Sequence, residues 1–296
     1  MVTATLIAAG ALTGDWVSEA QQRLAAAGVA AAAAPGAMTW IDQGNAARLD
    51  CGDGAISAIR AALAPLEERA DIFVGTGKVA KLLIADMDST MITVECIDEL
   101  ADYAGIKPQI AAITERAMRG ELDFRAALAE RVALLEGLDE SVIALCLAER
   151  VRPMPGARIL IRTMKALGAR CVLVSGGFTR FAEPVAAQIG FDVAIANQLE
   201  IMGGALTGKV LDPIVDSGTK LATLKAECAT LGIAEEAVLA VGDGANDVPM
   251  LAAAGLGVAY HGHPTAVAHA DAAVRVGDLT TLLWAQGVPM AQWVTD

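Results

Sequence analysis

The sequence is poor in the features that bind nucleic acids. Aromatic residues make up only 4% of its 296 residues, and 22 lysines and arginines face 35 aspartates and glutamates, for a formal net charge of −13. A polyanionic backbone requires a basic surface, and unpaired bases require aromatic side chains on which to stack. Neither nucleic acids nor anionic membranes are therefore expected as partners.

Long apolar runs and a basic N-terminal leader are also missing. The apolar start of the chain ends at Gly10 and carries none of the positive charge of a signal peptide. No segment approaches the about 18 apolar residues that a membrane-spanning helix needs. The five cysteines form no Cys-x-x-Cys pair, so neither a zinc site nor a disulfide framework is indicated. We expect a soluble, cytoplasmic protein with reduced, buried thiols.

The apolar content that is present is rich in alanine, which favours helices packed on a sheet. Residues 1–78 are predicted to form a small N-terminal α/β domain, with a strand at Thr3–Ala9 and helices at Val17–Ala27 and Ala55–Arg69. Val74–Gly77 has the glycines typical of a linker. The remaining strands of this domain cannot be placed from the pattern, and the alanine-rich segment 29–38 is ambiguous.

Three short apolar runs in the rest of the chain each end in a polar residue. They are Lys81–Asp86, Cys171–Ser175 and Ala237–Asp243, and they alternate with predicted helices that include Ala157–Leu167 and Lys220–Leu231. Such runs are typical of strands buried on both faces of a parallel sheet, so the alternation predicts a doubly wound α/β fold. Because ligands bind at the carboxyl ends of such strands, the three terminal polar residues should converge on one crevice.

Two insertions are predicted within this second domain, which spans residues 79–296. Residues 91–152 are too long for one crossover helix and form a helical cap with helices at Cys96–Tyr103, Lys107–Arg119, Phe124–Glu136 and Glu140–Arg150. Residues 197–212 contain two alternating segments around a Gly-Gly pair, which predicts a β-hairpin.

Two acidic clusters follow predicted strands. Asp86 and Asp88 are separated by one residue, and such close carboxylates are costly without a cation or a shared proton. Asp243, Asn246 and Asp247 offer oxygen ligands of the kind that hard cations prefer. Either cluster alone could be an ordinary solvated turn, but two at the strand ends of one sheet favour a cation site.

Other residues at the strand ends suit a phosphate group. Ser175 and the backbone of Gly176 could hold phosphate oxygens, and Leu173 occupies the position where a serine-hydrolase elbow requires glycine. Lys220 could neutralise part of a phosphate dianion, although lysines are usually solvated. The three histidines, His261, His263 and His269, lack acidic or thiol neighbours at metal-site spacing, so a loop beside the last strand (Leu256–Tyr260) is the favoured interpretation.

These elements, in this order, resemble the haloacid dehalogenase superfamily of phosphotransferases over roughly residues 80–290. Its pattern is Asp-x-Asp-x-Thr, a strand-end Ser, a Lys and Gly-Asp-x-x-x-Asp. The closer similarity is to the phosphoserine phosphatases, and it is carried by Asp86–Glu95, Met118–Phe124 with Arg131, Val174–Phe178 and Gly242–Asp247. The N-terminal domain is similar in size to the ACT-like domain of two-domain bacterial members.

The resemblance implies an Mg²⁺-dependent hydrolase that converts O-phospho-L-serine to L-serine through a phospho-aspartyl intermediate, the last step of serine biosynthesis. Asp86 is implied as nucleophile and Asp88 as general acid and base. The implied Mg²⁺ ligands are the side chains of Asp86 and Asp243 and the backbone carbonyl of Asp88, with Asp247 orienting Lys220 or a metal-bound water. The implied binding residues are Ser175, Gly176, Lys220 and Asn246 for phosphate and Glu95, Met118, Phe124 and Arg131 for the rest of the substrate.

Several alternatives stay open at this point. From the residues alone, Arg116, Arg119 and Arg125 compete with Arg131 for the substrate carboxylate. The same chemistry could act on another small phosphomonoester or transfer phosphate to another alcohol, and an amino-acid-sensing protein with a retired phosphatase core is a third possibility. The intact catalytic residues argue against retirement. The oligomeric state is left open, with a homodimer among the options.

Overall fold

The computed structural model describes residues 1–34, 36–119 and 121–295, without the side chains of Ala30, Ala33 and Met118. The N-terminal region forms a four-stranded antiparallel sheet in the order β2-β3-β1-β4. Its elements are β1 (Thr3–Ile7), α1 (Gly14–Ala26), β2 (Met38–Asp42), β3 (Ala46–Asp50), α2 (Ile56–Leu63) and β4 (Asp71–Gly75). This β-α-β-β-α-β order is that of the split βαβ fold. The relation to ACT domains and the boundary near residue 78 stay predictions.

The second sheet has seven strands in the order β11-β10-β9-β5-β6-β7-β8. Its strands are β5 (Leu82–Ala85), β6 (Arg170–Phe178), β7 (Val193–Met202), β8 (Ala205–Leu211), β9 (Val238–Gly242), β10 (Leu256–Tyr260) and β11 (Ala272–Val274). All neighbours pair in parallel except β7 and β8. The predicted doubly wound parallel sheet is confirmed.

Helices cover both faces of this sheet, and its central strand is apolar on both faces for that reason. Leu83 and Ala85 of β5 belong to one buried cluster, whereas Leu82 and Ile84 belong to another on the opposite face. The helices of this layer are α7 (Ala157–Ala166), α8 (Thr179–Ile189), α9 (Ser217–Leu231), α10 (Val248–Ala253), α11 (Pro264–His269) and α12 (Thr281–Ala285). Within the described residues, no helix combines the length and apolar composition needed to cross a bilayer.

Four helices between β5 and α7 form the cap, as the sequence predicted. They are α3 (Cys96–Tyr103), α4 (Lys107–Met118), α5 (Phe124–Ala133) and α6 (Ser141–Glu149). The helix α5 ends before the predicted Glu136, because the following backbone pairs with the β7–β8 hairpin: Gly137 N–H donates to Leu206 O at 2.8 Å and Leu206 N–H donates to Leu138 O at 2.9 Å. The hairpin therefore supports the cap.

The N-terminal sheet packs one face against the seven-stranded sheet. Ile7, Ala46 and Phe73 belong to the same buried cluster as Leu83. The buried carboxylate of Asp71 accepts the backbone N–H groups that follow β11, at 2.7 to 3.1 Å. Apolar and polar contacts thus join the two sheets.

Some predicted boundaries are wrong for local reasons. Val74 and Gly75 belong to β4 rather than to a linker, because their backbones pair with β1. The predicted helix Ala55–Arg69 ends as an α-helix at Leu63 and continues as a short 3-10 turn at Ala64–Leu66, where Pro65 lacks the amide hydrogen that an α-helix needs. The strand Leu256–Tyr260 is not the last one, since β11 follows it.

Candidate active site

A cavity of about 490 Å³ lies between the cap and the carboxyl ends of the parallel strands. Asp86 follows β5, Ser175 lies in the last part of β6, and Asp243 follows β9, so the three strand ends meet here. Of the predicted site residues, those that line the cavity are Asp86, Asp88, Glu95, Phe124, Arg131, Ser175, Gly176, Asp243 and Asn246. The structure thus brings together residues that are up to 160 positions apart in the chain (Asp86 to Asn246).

A buried ion-pair network lies below the cavity. The Lys220 ammonium is 2.8 Å from Asp86 Oδ2 and 2.6 Å from Asp247 Oδ1, and all three side chains are almost fully buried. Asp247 Oδ2 accepts the backbone N–H groups of Asp243 and Gly244 at 3.1 and 3.0 Å. Both Asp247 oxygens are therefore occupied, and this carboxylate fixes Lys220 against the β9 loop.

The helix that carries Lys220 begins at Ser217, three residues before the predicted start. The Asp216 carboxylate caps it by accepting the Thr219 N–H at 3.0 Å. Because this cap fixes the first turn, the aliphatic stem of Lys220 points inward from the helix to the strand ends.

Negative charge is in excess at the strand ends. Burial raises the pKa of Asp86 well above its usual range, and the nearby Asp247 carboxylate adds to this, although Lys220 opposes it. Burial also raises the pKa of Asp243 to about 6, against the hydrogen bond that Thr90 Oγ1 donates to it at 2.7 Å. One lysine does not balance these carboxylates, so an additional cation would stabilise their ionised forms.

The geometry of the same carboxylates fits a metal ion. One carboxylate oxygen from each of Asp86, Asp243 and Asp247 lies within 4.8 Å of the others. Oxygen donors of this type suit hard divalent cations. Among the described residues no histidine belongs to such a group. Instead, a ring nitrogen of His261 lies 3.0 Å from Gly277 O in a loop.

Ser175 and the two glycines after it line the cavity on the side for which the sequence predicts phosphate binding. Ser175 Oγ accepts the Gly177 N–H at 2.9 Å, which leaves the hydroxyl proton free to be donated into the cavity. A Cβ on Gly177 would lie 2.7 Å from Asp88 Oδ2, so a larger residue at this position would displace the Asp88 carboxylate. A Cβ on Gly176 would lie 3.1 Å from the ring of Phe124, which places this cap side chain directly over the strand end.

Asp88 lies between the strand ends and the cap. Its Oδ1 accepts the Cys96 N–H at 3.2 Å, and burial together with the nearby charge of Glu95 raises the pKa of Asp88 to about 7. Glu95 Oε1 in turn accepts a hydrogen bond from the Ser89 hydroxyl at 2.6 Å. Ser89 has a left-handed backbone (φ 53°), which is unusual for a non-glycine residue and lets the chain turn sharply between Asp88 and Glu95.

Arg131 is the arginine that lines the cavity. Among the carboxylates of the described residues, none lies within 4.0 Å of its guanidinium, and its Nε donates to Ala127 O at 3.2 Å. Burial lowers the pKa of Arg131, partly offset by the negative charges of Asp98, Glu95 and Asp88. An anionic group entering the cavity would therefore meet a desolvated cation.

The three competing arginines point elsewhere. Each forms ion pairs with acidic residues outside the cavity: Arg116 with Glu121 and Glu130, Arg119 with Glu115 and Glu121, and Arg125 with Asp216. The sequence alone did not separate them from Arg131, because all four occur in helical segments. Met118, a further predicted substrate contact, ends α4, and its side chain lies outside the described part of the structure.

Sequence reasoning missed several residues that support this site. Thr90, the threonine of the Asp-x-Asp-x-Thr pattern, had no predicted role, and the structure shows that its hydroxyl donates a hydrogen bond to Asp243. Asn197 of β7 binds the backbone oxygen of Gly176, and Asp216 before α9 accepts the backbone N–H of Thr219. Their spacing in the sequence gave no signal, because they act through loops that become neighbours only in the folded chain.

Comparisons with known proteins agree with this geometry. Residues 83–252 match the family model of haloacid dehalogenase-like hydrolases. Phosphoserine phosphatase SerB2 of Mycobacterium tuberculosis is 44% identical over 247 residues, which cover 81% of this chain and 60% of that protein. Phosphoserine phosphatase of Albidiferax ferrireducens is 46% identical over 208 residues, which cover 69% of this chain and 88% of that protein. The chain thus spans less than two thirds of the mycobacterial relative.

Solved structures are similar as well. A haloacid dehalogenase family hydrolase of Salmonella enterica serovar Typhi superposes with a TM-score of 0.82 and 28% identity, over 96% of this chain and 98% of that one. A structure described as a phospho-aspartyl intermediate analogue of phosphoserine phosphatase gives a TM-score of 0.65 and 36% identity, over 70% of this chain and 99% of that one.

Proposed function

Since the chain belongs to the haloacid dehalogenase-like hydrolases, we propose that it hydrolyses O-phospho-L-serine to L-serine and phosphate, the last step of serine formation. The observation that carries this proposal is the distribution of charge in one cavity. The carboxylates of Asp86 and Asp243 lie at the strand ends, while Glu95 and Arg131 face the same space from the cap side. With a divalent cation at Asp86 and Asp243 and the Lys220 ammonium beside them, the strand ends suit a phosphate, and Glu95 and Arg131 suit an ammonium and a carboxylate at its other end.

In the proposed reaction, Asp86 attacks the phosphorus atom and the bond from phosphorus to the serine oxygen breaks. The raised pKa of Asp88, about 7, keeps this carboxyl partly protonated near neutral pH, so it can give a proton to the departing oxygen. The ionised Asp88 then takes a proton from the water that attacks the acyl phosphate. Phosphate is released, and Asp86 is regenerated as a carboxylate.

The remaining residues hold the transferring group and the substrate. The Ser175 hydroxyl, the Gly176 N–H and Asn246 would donate hydrogen bonds to the phosphate, and Lys220 would offset its charge next to Asp86. Glu95 would bind the ammonium group of the substrate and Arg131 its carboxylate. Phe124 and Met118 would cover the apolar stem.

We infer that the divalent cation is Mg²⁺, held by the side chains of Asp86 and Asp243 and by the backbone carbonyl of Asp88. When bound, the ion supplies positive charge that favours the ionised form of Asp86 and offsets the charge of the phosphate. Asp247 is left to orient Lys220, because both of its oxygens already accept hydrogen bonds.

A phosphate-release assay tests the proposal. Phosphoserine, phosphothreonine and a sugar phosphate are compared with and without Mg²⁺, and we expect phosphoserine to be turned over fastest and only with the metal. The Asp86→Asn variant should be inactive, whereas Asp53→Asn, a change at an exposed N-terminal residue, should keep full activity. Faster turnover of the sugar phosphate would contradict the roles of Glu95 and Arg131, and an active Asp86→Asn variant would contradict the mechanism.

A further inference from the structure

Asn197 is a fully buried polar residue of β7 that connects the two segments on the phosphate side of the site. Its Nδ2 donates to Gly176 O at 2.8 Å and to Val215 O at 3.3 Å. Its Oδ1 accepts the Val215 N–H at 2.7 Å. The partners on each side require this orientation of the amide, because two carbonyls need donors and one N–H needs an acceptor.

The first segment leads from Asn197 to the hydroxyl of Ser175. Asn197 holds the oxygen of the Gly176–Gly177 peptide, and the N–H of the same peptide donates to Ser175 Oγ at 2.9 Å. The peptide plane is thus fixed at both ends, which sets the direction in which the Ser175 proton can be donated. It also fixes the backbone next to the Gly176 N–H.

The second segment leads from Asn197 to Lys220. Val215 is held at both its N–H and its C=O by the Asn197 amide, and it directly precedes Asp216, the cap of α9. Lys220 lies in the first turns of that helix, and its ammonium contacts Asp86. A shift of Val215 would therefore move the helix start that carries the lysine.

Replacing Asn197 should shift the backbone of Gly176, Val215 or both, because its amide binds each of them. Asn197 has no solvent-exposed surface, so water does not replace its amide in the intact fold. A carboxylate of the same shape keeps the bond from the Val215 N–H but faces two carbonyl oxygens without a proton to donate. An apolar side chain leaves both segments without their shared partner.

We propose that Asn197 is a positioning residue for phosphoryl transfer. Its side-chain amide fixes the Ser175–Gly177 segment relative to the start of α9, so that Ser175 and Lys220 can contact the same phosphate. It touches neither the substrate nor the reacting atoms. The inference rests on the proposed function only for the identity of the natural substrate, because any phosphomonoester bound at this site would depend on the same two segments.

The test uses the full chain with Mg²⁺ and two substrates, phosphoserine and p-nitrophenyl phosphate, the second of which lacks the ammonium and carboxylate groups. The variants are Asn197→Asp, which keeps the shape, and Asn197→Ser, whose single hydroxyl proton cannot serve both carbonyl oxygens. The control is Thr163→Val, which removes another fully buried hydrogen-bonding group, the acceptor of the Val294 N–H at 2.8 Å, far from the phosphate side. All rates are measured well below the Tm of each variant.

Both Asn197 variants should lower kcat by about 10- to 100-fold on both substrates, because a misplacement of about 1 Å in such a site has an effect of this size. The inhibition constant of inorganic phosphate should rise in parallel. Thr163→Val should lower Tm while leaving kcat and the phosphate inhibition constant unchanged. Asn197 variants that lower Tm but keep wild-type kcat and phosphate inhibition would overturn the inference.

The outcomes also separate this inference from the proposed function. A wild-type protein that hydrolyses p-nitrophenyl phosphate but not phosphoserine contradicts the proposed function, and the Asn197 comparison is then decided on p-nitrophenyl phosphate. A wild-type protein active on phosphoserine together with unaffected Asn197 variants contradicts the positioning role alone.

Discussion

Replacing Arg131 with methionine should remove recognition of the substrate carboxylate while leaving the phosphate chemistry intact. The guanidinium lines the cavity, and among the described carboxylates none lies within 4.0 Å of it, so it is available to a substrate anion. Truncating one partner of a buried, hydrogen-bonded charge pair costs about 2 to 5 kcal/mol. Arg131 keeps partial solvent contact, so we expect the lower part of this range, about 2 to 3 kcal/mol.

That free energy corresponds to a loss of about 30- to 150-fold in kcat/KM for phosphoserine, since about 1.4 kcal/mol is a factor of ten. Steady-state phosphate release on phosphoserine and on p-nitrophenyl phosphate checks it. The second substrate has no carboxylate and should be affected less than about threefold by the same reasoning. Arg119→Met is the matched control, because Arg119 pairs with Glu115 and Glu121 on the surface. Equal losses on both substrates would refute the assignment and indicate that Arg131 supports the fold of the cap.

Three further outcomes are expected. Lys220→Met leaves the Asp86 and Asp247 carboxylates without their buried cation, so the free energy of unfolding in urea should fall by about 3 to 5 kcal/mol. The control Lys165→Met breaks the half-exposed pair with Asp192 and should cost at most about 1 kcal/mol. A similar small loss for both variants would contradict the role of the buried ion-pair network. Gly177→Ala places a Cβ 2.7 Å from Asp88 Oδ2 and should lower kcat by about 100-fold at nearly unchanged Tm. The control Gly14→Ala should keep kcat, because its Cβ meets no atom within 4 Å. Wild-type kcat for Gly177→Ala would show that the Asp88 carboxylate tolerates displacement. The pKa values of Asp88 and Asp243 are raised to about 7 and about 6, so the folded state binds protons more tightly than the unfolded chain. The metal-free protein should therefore lose about 3 to 6 kcal/mol of stability as pH rises from about 4 to about 7. Mg²⁺ should raise the Tm more at pH 8 than at pH 5, and a metal effect that does not depend on pH would argue against carboxylate ligands.

The parallel sheet could be predicted because burial on both faces leaves a local mark in the sequence. Lys81–Asp86, Cys171–Ser175 and Ala237–Asp243 are apolar without alternation, as a strand between two helical layers requires. The polar residue at the end of each run marks the edge where ligands bind. In the N-terminal sheet, β1 was predicted, but β2 and β3 were missed because they contain polar and charged residues that match no strict period.

The residues at the strand ends that would carry out the reaction could likewise be predicted from the sequence, whereas the residues that hold them in place could not. Asp86, Asp88 and Asp243 stand in short motifs whose residue types fit phosphoryl transfer. Asn197 looks like an ordinary strand residue, because the partners that give it a role lie on other segments. Arg131 was singled out by the resemblance to phosphoserine phosphatases, since its local sequence does not distinguish it from the arginines nearby.

The sequence by itself determined which residues can carry the chemistry, since side-chain type and the apolar runs before them are local properties. Tertiary structure showed that Arg131 is the one of four arginines that lines the cavity, and it alone decided which carboxylates pair with Lys220 and which buried amide joins Ser175 to the start of α9. The physical reason is that hydrogen bonds and ion pairs depend on distances of a few ångströms between segments far apart in the chain, and these distances are set by the packing of the cap, the sheet and α9.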